Sequence, residues 1–227
     1  MGNSSDPEGP AFPGISLARI RTLCPSSRVQ ALDHKSRVYG QGEVCDDVFC
    51  VVSGQIKLAR TNRNGDEFTT AFLSTGQFFG PALAGDGENE TLEAASARGA
   101  VRLWRARAEE FKRVILECPA AGWRILQQAN KRRDQIESRL ECFFFQRVEV
   151  RLAQTFKELS GGFEDHCEHG FGMHIRITQQ ELADLVGATR PVVSTILNKL
   201  RRKGVLGYSR EYVCVRHIDV IEDLIVS

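Results

Sequence analysis

The chain has 227 residues, a formal net charge of +1 and 42% hydrophobic content, which suits one or two globular domains, each able to bury its own core. No run of about 18 apolar residues occurs, so the sequence holds no candidate membrane-spanning helix. The seven cysteines (Cys24, Cys45, Cys50, Cys118, Cys142, Cys167 and Cys214) are scattered without a C-x-x-C pair, which argues against a disulfide framework or zinc ribbon and for reduced structural thiols.

Residues 1–14, "MGNSSDPEGPAFPG", lack the basic start and apolar stretch of a signal peptide. Their Gly, Ser, Pro and acidic content predicts a disordered lead, and with no signal peptide a cytoplasmic protein is expected. From residue 15 to about 117 the texture is short β-like runs punctuated by Gly40, Gly42, Gly54, Gly76 and Gly80. "TNRNGDE" separates two alternating strands, and Asn64-Gly65 is the left-handed pair that a tight hairpin demands. Short strands at this spacing predict an all-β barrel or roll. Within it, "PALAGDGENETLEAA" carries Asp86, Glu88, Glu90 and Glu93 with no Lys or Arg.

A helix is expected over 118–145, with Pro119 in its first turn. Leu126, Ala129, Arg133, Ile136, Leu140 and Phe143 recur at steps of three and four, a seam able to pair with a second copy of itself or to face its own domain. Asp134, Glu137 and Glu141 interleave with Lys131, Arg132 and Arg139 on the flank. The glycine-rich "SGGFEDHCEHGFGMH" then breaks the pattern. Its His166, Cys167, His169 and His174 match no standard zinc spacing, so a polar surface loop is expected there.

The C-terminal stretch "ITQQELADLVGATRPVVSTILNKLRRKGVL" is the most informative. Thr178 and Glu181 have capping-box spacing, and the helix they open ends at Gly187. Thr189 is placed to cap a second helix, with Pro191 in its first turn and Val193, Ile196, Leu197 and Leu200 on its buried face. Two short helices joined by a glycine-containing turn form a helix-turn-helix. "VLGYSREYVCVRH" follows as a two-stranded wing around Ser209-Arg210. Eight cations, Arg176 to Arg216, face only Glu181, Asp184 and Glu211 in this end of the chain, the charge segregation of a nucleic-acid binder. Arg190 can form a bidentate pair with guanine, and Val192 can meet a thymine methyl. Ser194, Thr195 and Asn198 can reach bases or phosphates, while Thr178, Gln179, Thr189, Lys199, Arg201 and Arg202 suit the phosphate backbone.

On the glycine pattern "YGQGEVCDDVFCVVSGQIKLARTNRNGDEFTTAFLSTGQFFG", the helix entry "CPAAGW", the "VRLAQTF" segment and the helix-turn-helix, in that order, the chain resembles the CRP/FNR family of bacterial transcription regulators over residues 15–225. The resemblance implies an α+β architecture. Its parts are a disordered lead (1–14), an effector-sensing β-roll (15–117), a dimerisation helix (118–145) and a winged-helix DNA-binding domain (146–227). It also implies a homodimer whose recognition helices (189–202) enter successive major grooves of palindromic double-stranded DNA. RNA polymerase would be a further partner, and an activator's role is favoured over a repressor's.

Where cyclic-AMP-binding members carry Gly-Glu and Arg-Ser pairs, this sequence reads Gly80-Pro81 and Thr91-Leu92, and the helical Thr-Ser pair is replaced by Ile136-Glu137. Cyclic AMP is therefore disfavoured, and so is an iron–sulfur cluster, because no cysteine precedes Cys24. The effector is left unidentified, a metal- or haem-responsive member being an alternative. The expected pocket is lined by Phe78, Phe79, Gly80, Pro81, Ala82, Leu83 and Leu92, with Arg133, Ile136 and Glu137 from the helix. The rival class is a cupin-like metalloenzyme. Of the five histidines only His34 falls in the β region, too few for a cupin metal site, so no enzyme is expected.

Overall fold

The computed structural model describes residues 15–83, 90–160, 173–209 and 212–226. Outside these lie Asp86 and Glu88, the loop residues His166, Cys167 and His169, and Arg210 of the wing. The chain divides into two compact units, Met1–Arg132 and Arg133–Ser227.

The first unit opens with α1 (Leu17–Leu23), capped by Ser16, whose hydroxyl accepts from the Arg19 amide. Six strands follow: β1 (Arg28–Leu32), β2 (Arg37–Tyr39), β3 (Asp47–Thr61), β4 (Glu67–Leu73), β5 (Phe78–Phe79) and β6 (Ala94–Arg107). They form one antiparallel sheet in the order β1-β6-β3-β4, with β2 also on β6 and β5 on β3. Strand alternation sends successive residues of β3 to opposite faces. Val48, Cys50 and Val52 join Trp104 and Ala106 in one apolar cluster, and Phe49 and Val51 join Leu103 in another. The first cluster is covered by α1 and by α2 (Ala108–Glu117), whose Phe111 stacks on Phe78 at 5.6 Å between centroids. The second closes within the roll, where Phe49 stacks on Phe79 at 5.2 Å and Tyr39 tilts against both.

The β3–β4 hairpin differs from the expected two-residue turn. Residues 62–66 make a five-residue loop in which Gly65 is left-handed and Asn64 is not. The Asn62 side chain supplies the turn instead, its Oδ1 accepting from the amides of Asn64 and Asp66.

Alternation also separates Cys50, fully buried in the first cluster, from Cys45, which packs against the second. Burial pushes the Cys50 thiol up to about 12 and that of Cys24 up to about 11. The expectation of reduced thiols holds for Cys24, Cys45, Cys50, Cys118 and Cys142. Cys214 departs from it, being disulfide-bonded.

Helix α3 (Pro119–Phe145) contains the boundary between the units. The second unit continues with α4 (Val148–Ser160), β7 (Met173–Arg176), α5 (Gln179–Val186), α6 (Arg190–Arg202), β8 (Leu206–Tyr208), β9 (Tyr212–Val215) and α7 (Ile218–Val226). The three strands form an antiparallel sheet in the order β7-β9-β8. Leu152, Phe156, Ile177, Leu182, Leu197, Leu206 and Ile221 are the largest fully buried side chains of this unit. Helices α4, α5, α6 and α7 thus share one core with the wing sheet.

Candidate nucleic-acid interface

Thr178 and Glu181 close a capping box at the start of α5. The Thr178 hydroxyl accepts from the Glu181 amide at 3.2 Å, and Glu181 Oε2 accepts from the Thr178 amide at 2.8 Å. The same hydroxyl donates to Glu181 Oε2 at 2.9 Å, so Thr178 is committed to the cap before any phosphate approaches. Gly187 ends α5 in the left-handed region, φ 57° and ψ 49°, which a side chain adopts at a cost. A Cβ there would also lie 3.0 Å from the ring of Phe143. The turn between the two helices is thereby seated on the end of α3.

Thr189 occupies the N-cap of α6, yet its side chain makes no capping hydrogen bond, contrary to the role expected for it. Pro191 in the first turn pre-sets the backbone instead. Val193, Ile196, Leu197 and Leu200 are buried, as the periodicity requires. That leaves Thr189, Arg190, Val192, Thr195, Lys199, Arg201 and Arg202 exposed on the opposite face, with Ser194, Asn198, Thr178 and Gln179 half-buried.

These side chains differ in their freedom. Thr195 donates back to the Pro191 carbonyl at 3.0 Å. Asn198 is engaged at both ends of its amide: the nitrogen donates to the Ser194 carbonyl at 3.0 Å. Its oxygen accepts from the Tyr208 hydroxyl at 2.9 Å and from Arg201 at 3.1 Å. The Arg201 guanidinium also lies over the Tyr208 ring, 5.0 Å from its centroid. Asn198 therefore ties α6 to strand β8 and holds Arg201. Sequence reasoning missed Tyr208, which sits ten positions away on a different element with no periodicity linking the two.

The end of α3 is held on α4 by polar and aromatic contacts. Arg139 donates to Glu158 at 2.6 and 3.2 Å, Cys142 Sγ donates to the Gln154 side-chain oxygen at 2.8 Å, and Arg151 lies 5.2 Å from the Phe143 ring centroid. Along α3 the seam side chains Leu126, Ile136, Leu140 and Phe143 are exposed by 48%, 56%, 54% and 43%, an apolar row that Trp123 and Phe144 extend. Ala129 and Arg133 lie among them, both exposed.

The residues of the first unit expected to line an effector pocket differ in burial. Phe79 is core, 4% exposed among Tyr39 and Phe49. Gly80 has φ 128°, and a Cβ there would meet the Asp47 carbonyl oxygen at 2.6 Å, so its place is a close backbone approach. Pro81, Ala82 and Leu83 form a half-buried 3-10 turn. Leu92 points outward at 68% exposure. Thr91, by contrast, is buried and bridges the Gly40 carbonyl and the Glu43 amide. In the second unit, Arg133 is exposed and pairs with Asp134 and Glu137, and Ile136 is exposed. Arg132 approaches Glu93 of the acidic segment to 3.4 Å. From the same helix, Gln128 accepts from the Phe78 amide and donates to the Gly76 carbonyl. His34 accepts from the Gly99 amide at 3.1 Å, a turn contact in the position the cupin reading needed for a ligand. Among the described residues no three His, Cys, Asp or Glu side chains are grouped to hold a metal ion.

Comparison with known proteins agrees with this architecture. Residues 29–118 match the family model of the cyclic nucleotide-binding domain, and residues 150–224 match that of the Crp-like helix-turn-helix domain. The cyclic AMP receptor protein of Thermus thermophilus is 27% identical over 215 residues, covering 95% of this chain and 96% of that one. A global nitrogen regulator of Nostoc sp. is 24% identical over 188 residues, covering 82% and 84%. Among solved structures, the c-di-GMP-responsive global regulator CLP of Xanthomonas campestris has 22% identity and a TM-score of 0.71, covering 86% of this chain and 96% of that one. A CRP-family transcriptional regulator of Thermus thermophilus has 18% identity and a TM-score of 0.72, covering 87% and 97%. These structures share the fold.

Proposed function

The chain belongs to the CRP/FNR family of DNA-binding transcription regulators, and on that premise we propose that it acts as a homodimer. Each α6 enters the major groove at one half of a palindromic site, and the dimer activates transcription with RNA polymerase under an effector other than cyclic AMP. The observation that carries the reading is the exposed face of α6. There Arg190 and Val192 stand at the N-terminal end of a helix whose other side is buried, the end from which such helices read bases. Lys199, Arg201 and Arg202 lie further along the helix, placed for phosphates that set register. Dimerisation along α3 is supported by the exposed apolar row from Trp123 to Phe144, larger than the isolated apolar side chains of an ordinary surface.

Cyclic AMP is disfavoured by the chemistry of three positions. Thr91 is spent on loop backbone, Leu92 offers no donor, and Glu93 sets a carboxylate beside them whose charge Arg132 already opposes. Two relatives bear names that speak of cyclic nucleotides, and in this chain we assign the signal to a different molecule, taken up by the β unit beside Gly80–Leu83. Among the described residues no helix is long and apolar enough to cross a membrane.

The test is selection of binding sites from random duplex DNA by ligand-free protein, then salt titration on the selected and scrambled sequences. A palindrome bound far more tightly than its scrambled control supports the reading. Sequence-indifferent binding across all salt concentrations, with an added effector panel changing nothing, refutes base reading by α6.

A further inference from the structure

The side chain of Glu93, the residue before β6, is only 17% exposed, yet its carboxylate is loosely held. Oε1 meets Arg132 of α3 at 3.4 Å, and Oε2 accepts from the Thr70 hydroxyl of β4 at 3.3 Å. That hydroxyl has the Leu58 carbonyl as a second acceptor, at 3.2 Å. Charge-assisted hydrogen bonds to a carboxylate run at about 2.7–2.9 Å, so a largely buried charge rests here on two long contacts. Arg132 is the more accessible member of the pair, its side chain 36% exposed.

Tyr39 lies beside them. It is 4% exposed, and its ring packs on Phe49 and on Phe79, the residue before the Gly80–Leu83 turn. Among the described residues its hydroxyl makes no hydrogen bond. Burial pushes this phenol up, the Glu93 charge adds to the rise and Arg132 opposes it, which marks the hydroxyl as a neighbour of both charges. A buried hydroxyl without a partner and a carboxylate with two poor ones are the groups that a hydrogen-bonding cation would satisfy together. The sequence around them suits a cation too: residues 81–97 carry Asp86, Glu88, Glu90 and Glu93 and no Lys or Arg, a local field that draws cations and turns anions away.

We propose that Arg132 is a tethered stand-in for a ligand. The site takes a small organic cation, a guanidinium or ammonium on a short apolar chain, whose head replaces the Arg132 guanidinium on Glu93 and donates to the Tyr39 hydroxyl. This effector class rests on the assignment of the signal to the β unit made above. Room comes from the exchange itself, because the incoming head fills the volume that Arg132 leaves for water. The helix stays on the sheet meanwhile, since Gln128, one turn earlier, accepts from the Phe78 amide at 3.1 Å and donates to the Gly76 carbonyl at 2.8 Å.

The probe is butylguanidinium, titrated at constant ionic strength into the full chain labelled at its three tyrosines. Butylurea and butyrate are the neutral and anionic controls, and the Tyr39 ring resonance is the one that Tyr39→Phe removes. Saturable movement of that resonance by butylguanidinium, and by neither control, is expected. Glu93→Gln weakens binding about tenfold, as loss of a charge-assisted hydrogen bond implies. Arg132→Gln acts in the opposite direction and tightens binding a few-fold, because it removes a competing pair that is partly exposed and weak. A variant that merely misfolds cannot bind more tightly. The proposal is overturned if Arg132→Gln weakens butylguanidinium binding or leaves it unchanged. It is equally overturned if butyrate moves the Tyr39 resonance in the parent and not in Arg132→Gln, which makes the site an anion site. Magnesium chloride at matched ionic strength moving the resonance as far as butylguanidinium does would reduce the effect to screening of the pair and sink the idea as well. The titration contains no DNA, so its failure leaves base reading by α6 standing, and sequence-indifferent DNA binding leaves the cation site standing.

Discussion

Gly187→Ala tests whether the turn of the helix-turn-helix is seated on α3 through Phe143. Two costs apply. The residue sits at φ 57° and ψ 49°, where a Cβ costs about 1–2 kcal/mol. That Cβ also comes to 3.0 Å from Cε1 and 3.2 Å from Cζ of Phe143, so the ring must give way by a few tenths of an ångström, at the low end of the ~1–3 kcal/mol of overpacking. The ring is exposed by 43% and has room to move, so the sum should be about 2 kcal/mol. Gly187→Asn separates the two terms, because Asn tolerates the left-handed region while bringing the same Cβ.

The assay is urea unfolding of the full chain followed in parallel by helical dichroism and tryptophan fluorescence. Both tryptophans, Trp104 and Trp123, belong to the first unit, so the loss should appear in the dichroism while the fluorescence transition stays in place. In a Phe143→Ala background the cost of Gly187→Ala should shrink by about 0.5–1 kcal/mol, the scale of coupling between touching residues. Strict additivity of the two substitutions would falsify the seating of the turn on Phe143. Equal costs for Ala and Asn would put the whole effect in the contact and none in the backbone.

Other outcomes follow from the same geometry. Tyr208→Phe removes the hydroxyl that Asn198 accepts from but keeps the ring under Arg201. It should cost about 1 kcal/mol of stability and a few-fold in DNA affinity at constant salt slope, whereas Arg201→Ala should lower the slope by about one phosphate. A changed slope in Tyr208→Phe counts against a positioning role. Arg190→Ala should cost about 1–3 kcal/mol per half-site at one base pair, measured on matched and scrambled duplexes, and equal losses on both would leave it a phosphate contact. The Cys50 thiol, raised by burial from 9.0 to about 12, holds its proton longer in the folded chain than in the unfolded one. Its contribution is therefore complete below about pH 9 and is lost as pH rises towards 12. Chemical unfolding from about pH 8 to about pH 11 should show stability falling over that window, and Cys50→Ala should flatten the fall; an unchanged slope would exclude this thiol as its source.

What the sequence made legible was mostly what the backbone itself demands. The capping box at Thr178 and Glu181, the left-handed stop at Gly187 and the buried stripe of α6 are local requirements, and local spacing records them. Strand alternation is equally local: it sends Phe49 and Cys50 of β3 to two different apolar clusters. The hairpin was misjudged because Asn62, two residues before the expected turn, accepts two amides and lengthens the loop, so that only Gly65 need be left-handed. The place of Phe79 was illegible for a different reason. Phe79 looked like a wall residue from its neighbours, but its partners Tyr39 and Phe49 come from two other strands and draw it into the core.

The same distinction sorts the reading face of α6. Residue type says what a side chain is able to bind, while its partners in the fold decide whether it is free to do so. Asn198 has the chemistry to read adenine, but both ends of its amide are taken, and freeing it costs the bonds to Tyr208, Arg201 and the Ser194 carbonyl. Thr195 has already given its proton to the Pro191 carbonyl. Arg190 and Val192 carry no such commitments among the described residues, and they stand at the N-terminal end of the helix. Base discrimination should therefore concentrate in the positions that face the N-terminal turn of α6. The positions facing its middle should tolerate substitution, because the side chains there are occupied in holding the wing.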